Sequence, residues 1–236
     1  MQRGLVKVAR AGSGRYVEDY IAAVTRRRPL RSVILSSWET PATAYPRASV
    51  GRAAIARYSY GRGFYLAYGT AGGAGPVDFF KVPGGRRLPV TTLKIDGRTW
   101  MIDDPPHWWS IRETARRLRG RVLIGGLGLG LILWAAAENP EVERAVVIER
   151  DADVIALMLP NLPKRPAIEI VEDDFAGYLD RAGRFDSAFV DLWVTYGHEE
   201  GRRLFAEEVL PLALRVFEKT GAKMHTLGFI GSEALP

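Results

Sequence analysis

A cluster of glycines lies near the middle of the chain, in the segment RVLIGGLGLGLIL at 121–133. Gly125 and Gly126 follow an apolar run, and Gly128 and Gly130 alternate with leucines before a second apolar run. Glycine lets the backbone approach a ligand closely, and a helix that follows offers free amide groups at its start. The segment therefore predicts either a cradle for a nucleotide-like ligand or a tight turn between two buried elements.

Carboxylates follow the next three apolar runs of the chain. Glu149 ends the first of them, Asp173 and Asp174 end the second, and Asp191 ends the third. In open parallel sheets, ligands bind beyond the carboxyl ends of the strands. We expect Glu149 to accept hydrogen bonds from two ribose hydroxyls, Asp173 or Asp174 to meet an adenine amino group, and Asp191 to lie beside the reacting group. One such acid would more simply cap a helix, but acids after three consecutive strands favour a ligand site.

The second half of the chain alternates strand-like and helix-like segments. Apolar, β-branched runs predict five strands, at 121–126, 144–149, 167–174, 185–191 and 222–231. Segments of helical composition separate them, the longest at 198–221. This alternation predicts an α/β fold in which right-handed crossovers build a Rossmann-like parallel sheet, covered on both faces.

The first 95 residues lack this alternation. They are rich in Gly, Pro, Arg and aromatic residues, which predicts short strands with turns after a helix at 14–28. Their formal charge is +12, whereas residues 96–236 carry −6. We therefore predict two parts: a smaller, basic and mainly β N-terminal region over 1–95, and a Rossmann-like domain over 96–236.

Composition excludes several classes of protein. The chain of 236 residues has no cysteine, which removes disulfides, thiolate nucleophiles and zinc–thiolate sites, and we predict no metal site. The longest apolar run, Leu123–Ala137, is short of the about 20 residues that a membrane span needs, and the basic first ten residues lack the apolar core of a signal peptide. We expect a cytoplasmic protein. Scarce Asn and Gln beside abundant Arg indicate a heat-adapted source, although a GC-rich genome would give the same bias.

The motifs resemble a known superfamily. The segments VLIGGLGLG, VVIERDADVI, IVEDDFAGYL and FDSAFVDLW are similar to the successive motifs of class I S-adenosylmethionine-dependent methyltransferases. LKIDGRTWMIDDPPHWW before the glycines, and DLWVTYGHEE and FAEE after the fourth strand, resemble the spermidine synthase-like branch of that superfamily. The resemblance covers about 88–230. It implies that the glycines, Glu149, Arg150, Asp173 and Asp174 bind S-adenosylmethionine or its decarboxylated form.

The resemblance leaves the transferred group open. Aminopropyltransferases of this branch carry acids where this chain has Leu127 and Val194, and a Gln that is missing after Asp96–Gly97. Because a polyamine cation in a closed pocket needs counter-charges, these differences favour a methyltransferase with an unknown acceptor. The alternatives are a polyamine aminopropyltransferase and a nucleic-acid-binding protein that keeps the fold without turnover.

Transfer from a sulfonium is an in-line displacement that mainly requires alignment of the nucleophile and removal of its proton. We predict Asp191 as the base or amine-orienting group. Tyr196 and His198 follow it closely enough to line the same mouth, although both also suit a solvated loop.

Four residues before or beside the predicted reacting group suit acceptor binding. Asp104 and His107 precede the first sheet strand and could close over the site. Trp108 and Trp193 could pack on a cationic substrate by cation–π attraction, but core packing explains them equally well. A small-molecule acceptor is therefore the expected partner.

The basic N-terminal region suggests a second kind of partner. Arg57 and Arg62 are interleaved with Tyr58, Tyr60 and Phe64, a composition that suits phosphate contact and base stacking. The alternative is a small sheet whose aromatic side chains pack inward and whose arginines are solvated. Homo-oligomers are common in the resembled branch, but nothing in the sequence demonstrates one.

Overall fold

The computed structural model describes residues 29–67, 77–193 and 203–227. Its N-terminal part is mainly β, as predicted, and contains one short 3₁₀ turn at Pro41–Ala44. The strands are β1 (Ser32–Ile34), β2 (Ala48–Val50), β3 (Ala53–Tyr60), β4 (Gly63–Leu66), β5 (Phe79–Val82), β6 (Leu88–Ile95) and β7 (Arg98–Ile102). They form a three-stranded sheet in the order β1-β5-β4 and a four-stranded antiparallel sheet in the order β2-β3-β6-β7. The helix predicted at 14–28 lies outside the described residues.

The C-terminal part is the predicted α/β unit with a parallel sheet. Its strands are β8 (Gly120–Gly125), β9 (Val142–Glu149), β10 (Ala167–Glu172), β11 (Ser187–Val190) and β12 (Lys223–His225). The helices are α1 (Pro105–Ala115), α2 (Leu131–Ala137), α3 (Ala152–Met158), α4 (Phe175–Tyr178) and α5 (Leu210–Thr220), the last preceded by a π-helical turn at Phe205–Val209. All strand pairs are parallel, in the order β10-β9-β8-β11-β12. From β8 the chain adds β9 and β10 on one side and then returns to add β11 and β12 on the other side. The order of the strands therefore reverses between β8 and β11, and open parallel sheets bind ligands at such a point.

Period-two alternation places the strand residues in two separate cores. Val122 and Ile124 of β8 pack with α2, α3 and the N-terminal sheet, whereas Leu123 between them packs with α4 and α5 on the other face. The first core also contains Ile55 of β3 and Leu93 of β6. The four-stranded sheet, which is called the N-terminal sheet from here on, and the parallel sheet therefore share one apolar core.

The predicted boundary after residue 95 falls in the turn between β6 and β7. These two strands pair with each other, with Ile95 opposite Arg98. The hairpin thus belongs to the N-terminal sheet on both sides of that boundary, and the division into two domains stays a prediction.

No helix in the three described segments is both long and apolar enough to span a bilayer. The location of the protein stays a prediction.

His225 lies on β12, opposite Phe189 of β11. Burial of its ring, followed by the nearby charges of Arg117, Lys223 and Arg119, lowers the pKa of His225 from its ordinary 6.5 to about 4. Because the folded pKa is the lower one, the unfolded chain binds this proton first as the pH falls. The free energy of unfolding therefore decreases progressively as the pH falls from about 6.5 to about 4.

We predict that His225→Asn makes the protein less sensitive to acid. Between pH 7 and pH 4 the wild type should lose on the order of 2 kcal/mol more unfolding free energy than the variant, a value reduced by the partial exposure of the ring. Urea denaturation of both proteins at several pH values measures this difference, in which the other titrating groups cancel. Equal losses in the two proteins would contradict the prediction.

Candidate functional site

A cavity of about 580 Å³ lies at the carboxyl ends of β8, β9, β10 and β11. Most of the residues predicted from the sequence line it: Gly126, Gly128, Glu149, Arg150, Asp173, Asp174, His107, Asp191 and Trp193. Its opposite wall comes from the N-terminal sheet, through Leu93 and Ile95 of β6 and Arg98, Trp100 and Met101 of β7. The cavity therefore lies between the strand edge and a hairpin that covers it.

The glycine loop needs glycine for space as well as for conformation. Gly126, Gly128 and Gly130 have φ values of +88°, +52° and +65°, which L side chains rarely adopt. A Cβ on Gly126 would lie 3.0 Å from the carbonyl oxygen of Asp191, and one on Gly128 would lie 2.6 Å from the sulfur of Met101. Of the four predicted glycines, these two line the cavity.

Gly125 and Gly130 lie at the two ends of the loop and serve packing. A Cβ on Gly125 would lie 2.8 Å from the ring of Phe175, and one on Gly130 would lie 2.8 Å from Leu162. Gly130 is also the N-cap of α2. Neither is part of the cavity lining.

Glu149 links the glycine loop to the end of β9. One of its carboxylate oxygens accepts a hydrogen bond from the Leu127 amide at 2.9 Å, and the other accepts one from the Asp151 amide at 2.9 Å. Each oxygen has a second lone pair that a ligand hydroxyl could use. Arg150 is exposed at the cavity rim.

Asp173 and Asp174 also stabilise the local backbone. Asp174 caps α4 by accepting a hydrogen bond from the Gly177 amide at 2.9 Å. Asp173 accepts one from the Asp174 amide at 2.8 Å and pairs with Arg181. The capping role considered for these acids is therefore present, and both carboxylates still border the cavity.

Asp191 lies beside His107 in the cavity wall. The His107 Nε2 atom is 4.0 Å from a carboxylate oxygen of Asp191, close enough for an ion pair but too far for a hydrogen bond. Nε2 is buried and has no hydrogen-bond partner in the described part of the chain. Burial alone would lower the pKa of His107, but the carboxylate of Asp191, with smaller effects of Asp104 and Asp103, raises that pKa above its ordinary value.

Two residues predicted to bind substrate lie elsewhere. Asp104 caps α1 through the His107 amide and accepts a 2.6 Å hydrogen bond from the Tyr60 hydroxyl. Burial raises the pKa of Asp104. Trp108 is only 7% exposed and packs in the core shared by the two sheets. Neither side chain lines the cavity, and their predicted role in substrate binding stays a prediction.

Two of the predicted catalytic residues, Tyr196 and His198, lie outside the described residues. Their predicted roles at the mouth of the site stay predictions.

The sequence did not identify the residues of the covering hairpin as part of the site. The Met101 sulfur accepts a hydrogen bond from the Leu129 amide at 3.1 Å and fills the space beside Gly128. The Asp96–Gly97 pair between two alternating segments is a hairpin signal. That signal predicts β6 and β7 but not the surface against which they pack.

The cavity is acidic. Among its described lining residues are six carboxylates and three arginines, so its net charge is negative when His107 is neutral. A partly enclosed, negatively charged cavity attracts cationic ligands.

Residues of the aromatic, arginine-rich segment of β3 and β4 make contacts within the fold. The Arg57 guanidinium donates to the carbonyl oxygens of Ala42, Thr43 and Tyr45 at 3.2, 2.8 and 2.5 Å. Tyr60 packs edge-on against Phe80, with ring centroids 5.5 Å apart. Inward packing thus describes Tyr60, whereas Tyr58 is 55% exposed and Arg57 is hydrogen-bonded within the fold rather than solvated. None of these contacts supports nucleic-acid binding, which stays a prediction.

Comparison with known proteins identifies relatives of part of the chain. No model of a known protein family matches it. A polyamine aminopropyltransferase from Pyrobaculum arsenaticum is 31% identical over 118 residues, covering 45% of this chain and 41% of the relative. Another from Pyrobaculum islandicum is 29% identical over 111 residues, covering 42% and 38%. The chain thus spans about two fifths of the length of these curated relatives.

Solved structures match more weakly. A spermidine synthase from Thermotoga maritima is 22% identical with a TM-score of 0.40, covering 57% of this chain and 50% of that chain. A precorrin 8W decarboxylase from Methanobacterium thermoautotrophicum is 17% identical with a TM-score of 0.34, covering 48% and 59%. At these TM-scores the two matches add nothing to an assignment of function.

The parallel sheet, its glycine loop and the carboxylates after the next three strands have the architecture of the class I S-adenosylmethionine-dependent methyltransferase superfamily. Within that superfamily, the resemblance to the spermidine synthase-like branch is confirmed by the aminopropyltransferase relatives.

The methyltransferase function favoured from the sequence is wrong, because these relatives are named polyamine aminopropyltransferases. That choice gave weight to the acid missing at position 127. Position 127 faces the core, since the Leu127 side chain is buried there and does not line the cavity. The cavity has six carboxylates from other positions. Val194 lies outside the described residues.

We predict that Gly126→Ala is more destabilising than Gly85→Ala. Both substitutions place an alanine at positive φ, which costs about 1–2 kcal/mol. Only Gly126 also has a backbone atom, the Asp191 carbonyl oxygen, within 3.0 Å of the new Cβ, whereas Gly85 has nothing within 4 Å. Guanidinium denaturation should therefore give roughly 1 kcal/mol more loss of unfolding free energy for Gly126→Ala. Equal losses would show that the loop can move away from Asp191 without cost.

Proposed function

We propose that this protein transfers an aminopropyl group from decarboxylated S-adenosylmethionine to an amine acceptor. The relationship to two polyamine aminopropyltransferases carries this proposal. The acidic cavity at the switch point of the sheet supports it, because donor and acceptor are both cations. The cavity volume, about 580 Å³, is within the range of small-molecule sites.

The residues on the nucleoside side of the cavity fit the donor. Glu149 is held with lone pairs available for two ribose hydroxyls. Asp173 and Asp174 follow β10 and suit an adenine amino group, while Gly126 and Gly128 let the donor lie against the loop backbone. Each of these assignments belongs to the proposal.

The residues on the other side suit the transfer itself. When the donor is bound, the amine nitrogen forms a C–N bond as the C–S bond breaks, and the bonding electron pair leaves with the thioether sulfur. Asp191 would orient the attacking amine and accept the proton that it loses. His107, 4.0 Å away, borders the same space. Trp193 donates a hydrogen bond to Glu208 at 3.0 Å, which would fix its ring beside the acceptor.

The direct test is product analysis. Incubation with decarboxylated S-adenosylmethionine and a panel of diamines and polyamines should yield 5′-methylthioadenosine and amines extended by one aminopropyl group. Formation of no extended amine with any member of the panel would refute the proposal. Methylated amines in a parallel incubation of the same panel with S-adenosylmethionine would also count against it.

We predict that Asp191→Asn lowers kcat by a factor of about 10²–10⁴, because the amide orients an amine poorly and accepts no proton. The KM for the donor should change much less, since Glu149 and the glycine loop are unaltered. Asp180→Asn is a matched control, because Asp180 pairs with Arg215 and Lys219 and does not line the cavity. A kcat for Asp191→Asn close to that of the control would remove Asp191 from the reaction.

We also predict that Glu149→Gln weakens binding of 5′-methylthioadenosine by roughly tenfold or more, because an amide loses charge-assisted hydrogen bonds and turns a donor toward a backbone amide. Calorimetric titration measures this affinity. Glu172→Gln is the control, since Glu172 lies directly opposite Glu149 in the β9–β10 register and outside the cavity. Unchanged affinity in Glu149→Gln would contradict the ribose assignment.

A further inference from the structure

The turn between β2 and β3 attaches the N-terminal sheet to the start of α3. Gly51 has a φ of +51°, and a Cβ at this position would overlap the carboxylate of Asp153. The next amide, that of Arg52, donates to Asp153 at 3.0 Å. A side chain at position 51 would displace the Asp153 carboxylate, so glycine allows the turn to lie directly on the first turn of α3 with this hydrogen bond in place.

The Arg52 side chain continues this contact into the cavity wall. Its Nε and Nη2 atoms donate to one carboxylate oxygen of Asp151 at 3.0 and 2.8 Å. The Asp151 side chain is only 7% exposed, so Arg52 supplies the counter-charge for a buried carboxylate. The other oxygen of Asp151 caps α3 by accepting a hydrogen bond from the Asp153 amide at 3.0 Å. Both Arg52 and Asp151 line the cavity.

Asp151 in turn holds Glu149. The Asp151 amide donates to one oxygen of Glu149 at 2.9 Å, and the other oxygen accepts from the Leu127 amide in the glycine loop. Hydrogen bonds thus connect Arg52 to the Asp151 carboxylate, and the Asp151 amide to Glu149 and the glycine loop, with the covalent structure of Asp151 joining the two sets. Removing the Arg52 side chain would leave the Asp151 carboxylate buried without its cation, which favours rotation of the Asp151 side chain toward water.

We infer that Arg52 is a positioning residue of the nucleoside site, which acts through Asp151 on Glu149. This inference rests on the proposed function, because Glu149 is the group assigned to the ribose. It extends the site to a turn almost a hundred residues earlier in the chain.

A positioning role and a purely electrostatic role of Arg52 predict opposite changes in donor affinity when Arg52 is removed. Arg52 is a cation in the wall of a cavity proposed to bind cations, so Coulomb repulsion alone predicts tighter donor binding when it is removed. Loss of positioning predicts weaker binding. The uncharged thioether nucleoside 5′-methylthioadenosine is the better probe, because repulsion by a cation contributes little to its affinity.

The test is calorimetric titration of the full chain with 5′-methylthioadenosine, well below each variant's unfolding temperature. Arg52→Met should weaken binding by about tenfold. Arg52→Lys, which restores the charge but not the two-nitrogen contact, should recover part of the loss. Arg47→Met is the control, because Arg47 is an exposed arginine next to the same sheet, lies outside the cavity and has no ion pair in the described part of the chain. It should leave affinity unchanged.

A double-mutant cycle separates positioning from general destabilisation. If Arg52 acts through Glu149, adding Arg52→Met to Glu149→Gln should weaken binding less than it does in the wild-type background. Fully additive losses, or wild-type affinity in Arg52→Met, would overturn the inference and leave the proposed function intact. A wild-type protein that binds neither 5′-methylthioadenosine nor decarboxylated S-adenosylmethionine would overturn both.

Discussion

The carboxylate of Glu149 connects the parts from which the cavity is built. Its two oxygens accept hydrogen bonds from amides on opposite sides, Leu127 in the glycine loop and Asp151 after β9. A charged acceptor between two backbone donors is held more firmly than a side chain that faces only water. Together with the backbone hydrogen bond from the Gly126 amide to the Ile148 carbonyl oxygen at 2.9 Å, this side chain holds the glycine loop against the end of β9. Ligand hydroxyls would meet a carboxylate whose orientation is already set.

The N-terminal sheet turns this strand edge into an enclosed site. Met101 lies against the glycine loop, and Arg52 lies against Asp151 at the end of β9. These contacts are possible because Ile55 and Leu93 share an apolar core with the parallel sheet, which fixes the relative position of the two sheets. Enclosure lowers the effective dielectric constant near Asp191 and strengthens the attraction of its carboxylate for a cation. A parallel sheet alone would supply the carboxylates but leave them in water.

The sequence predicted features that depend on local order along the chain. The glycine loop, the five parallel strands and the carboxylates after β9, β10 and β11 follow from periodicity and strand ends, and the structure has them in those places. It did not predict that Asp104 is a buried helix cap, and for Trp108 it left core packing and substrate contact open, because composition does not distinguish a residue of the cavity wall from a residue of the core. Arg52 was missed for a different reason. Its partner Asp151 is 99 residues away, and only the packing of the two sheets brings them together.

The uneven charge of the chain has a partly internal explanation. The excess of cations before residue 96 suggested an anionic partner such as nucleic acid. Within the described residues, Arg52 of the basic part pairs with Asp151 of the acidic part, and Arg57 donates hydrogen bonds to the carbonyl oxygens of Thr43 and Tyr45 in and directly after the 3₁₀ turn. Five carboxylates of the acidic part, those of Glu149, Asp151, Asp173, Asp174 and Asp191, lie at the end of the sheet that the basic part covers. The Arg52–Asp151 pair thus favours the packing that encloses the cavity, and the carboxylates that remain in its wall give the cavity its negative charge.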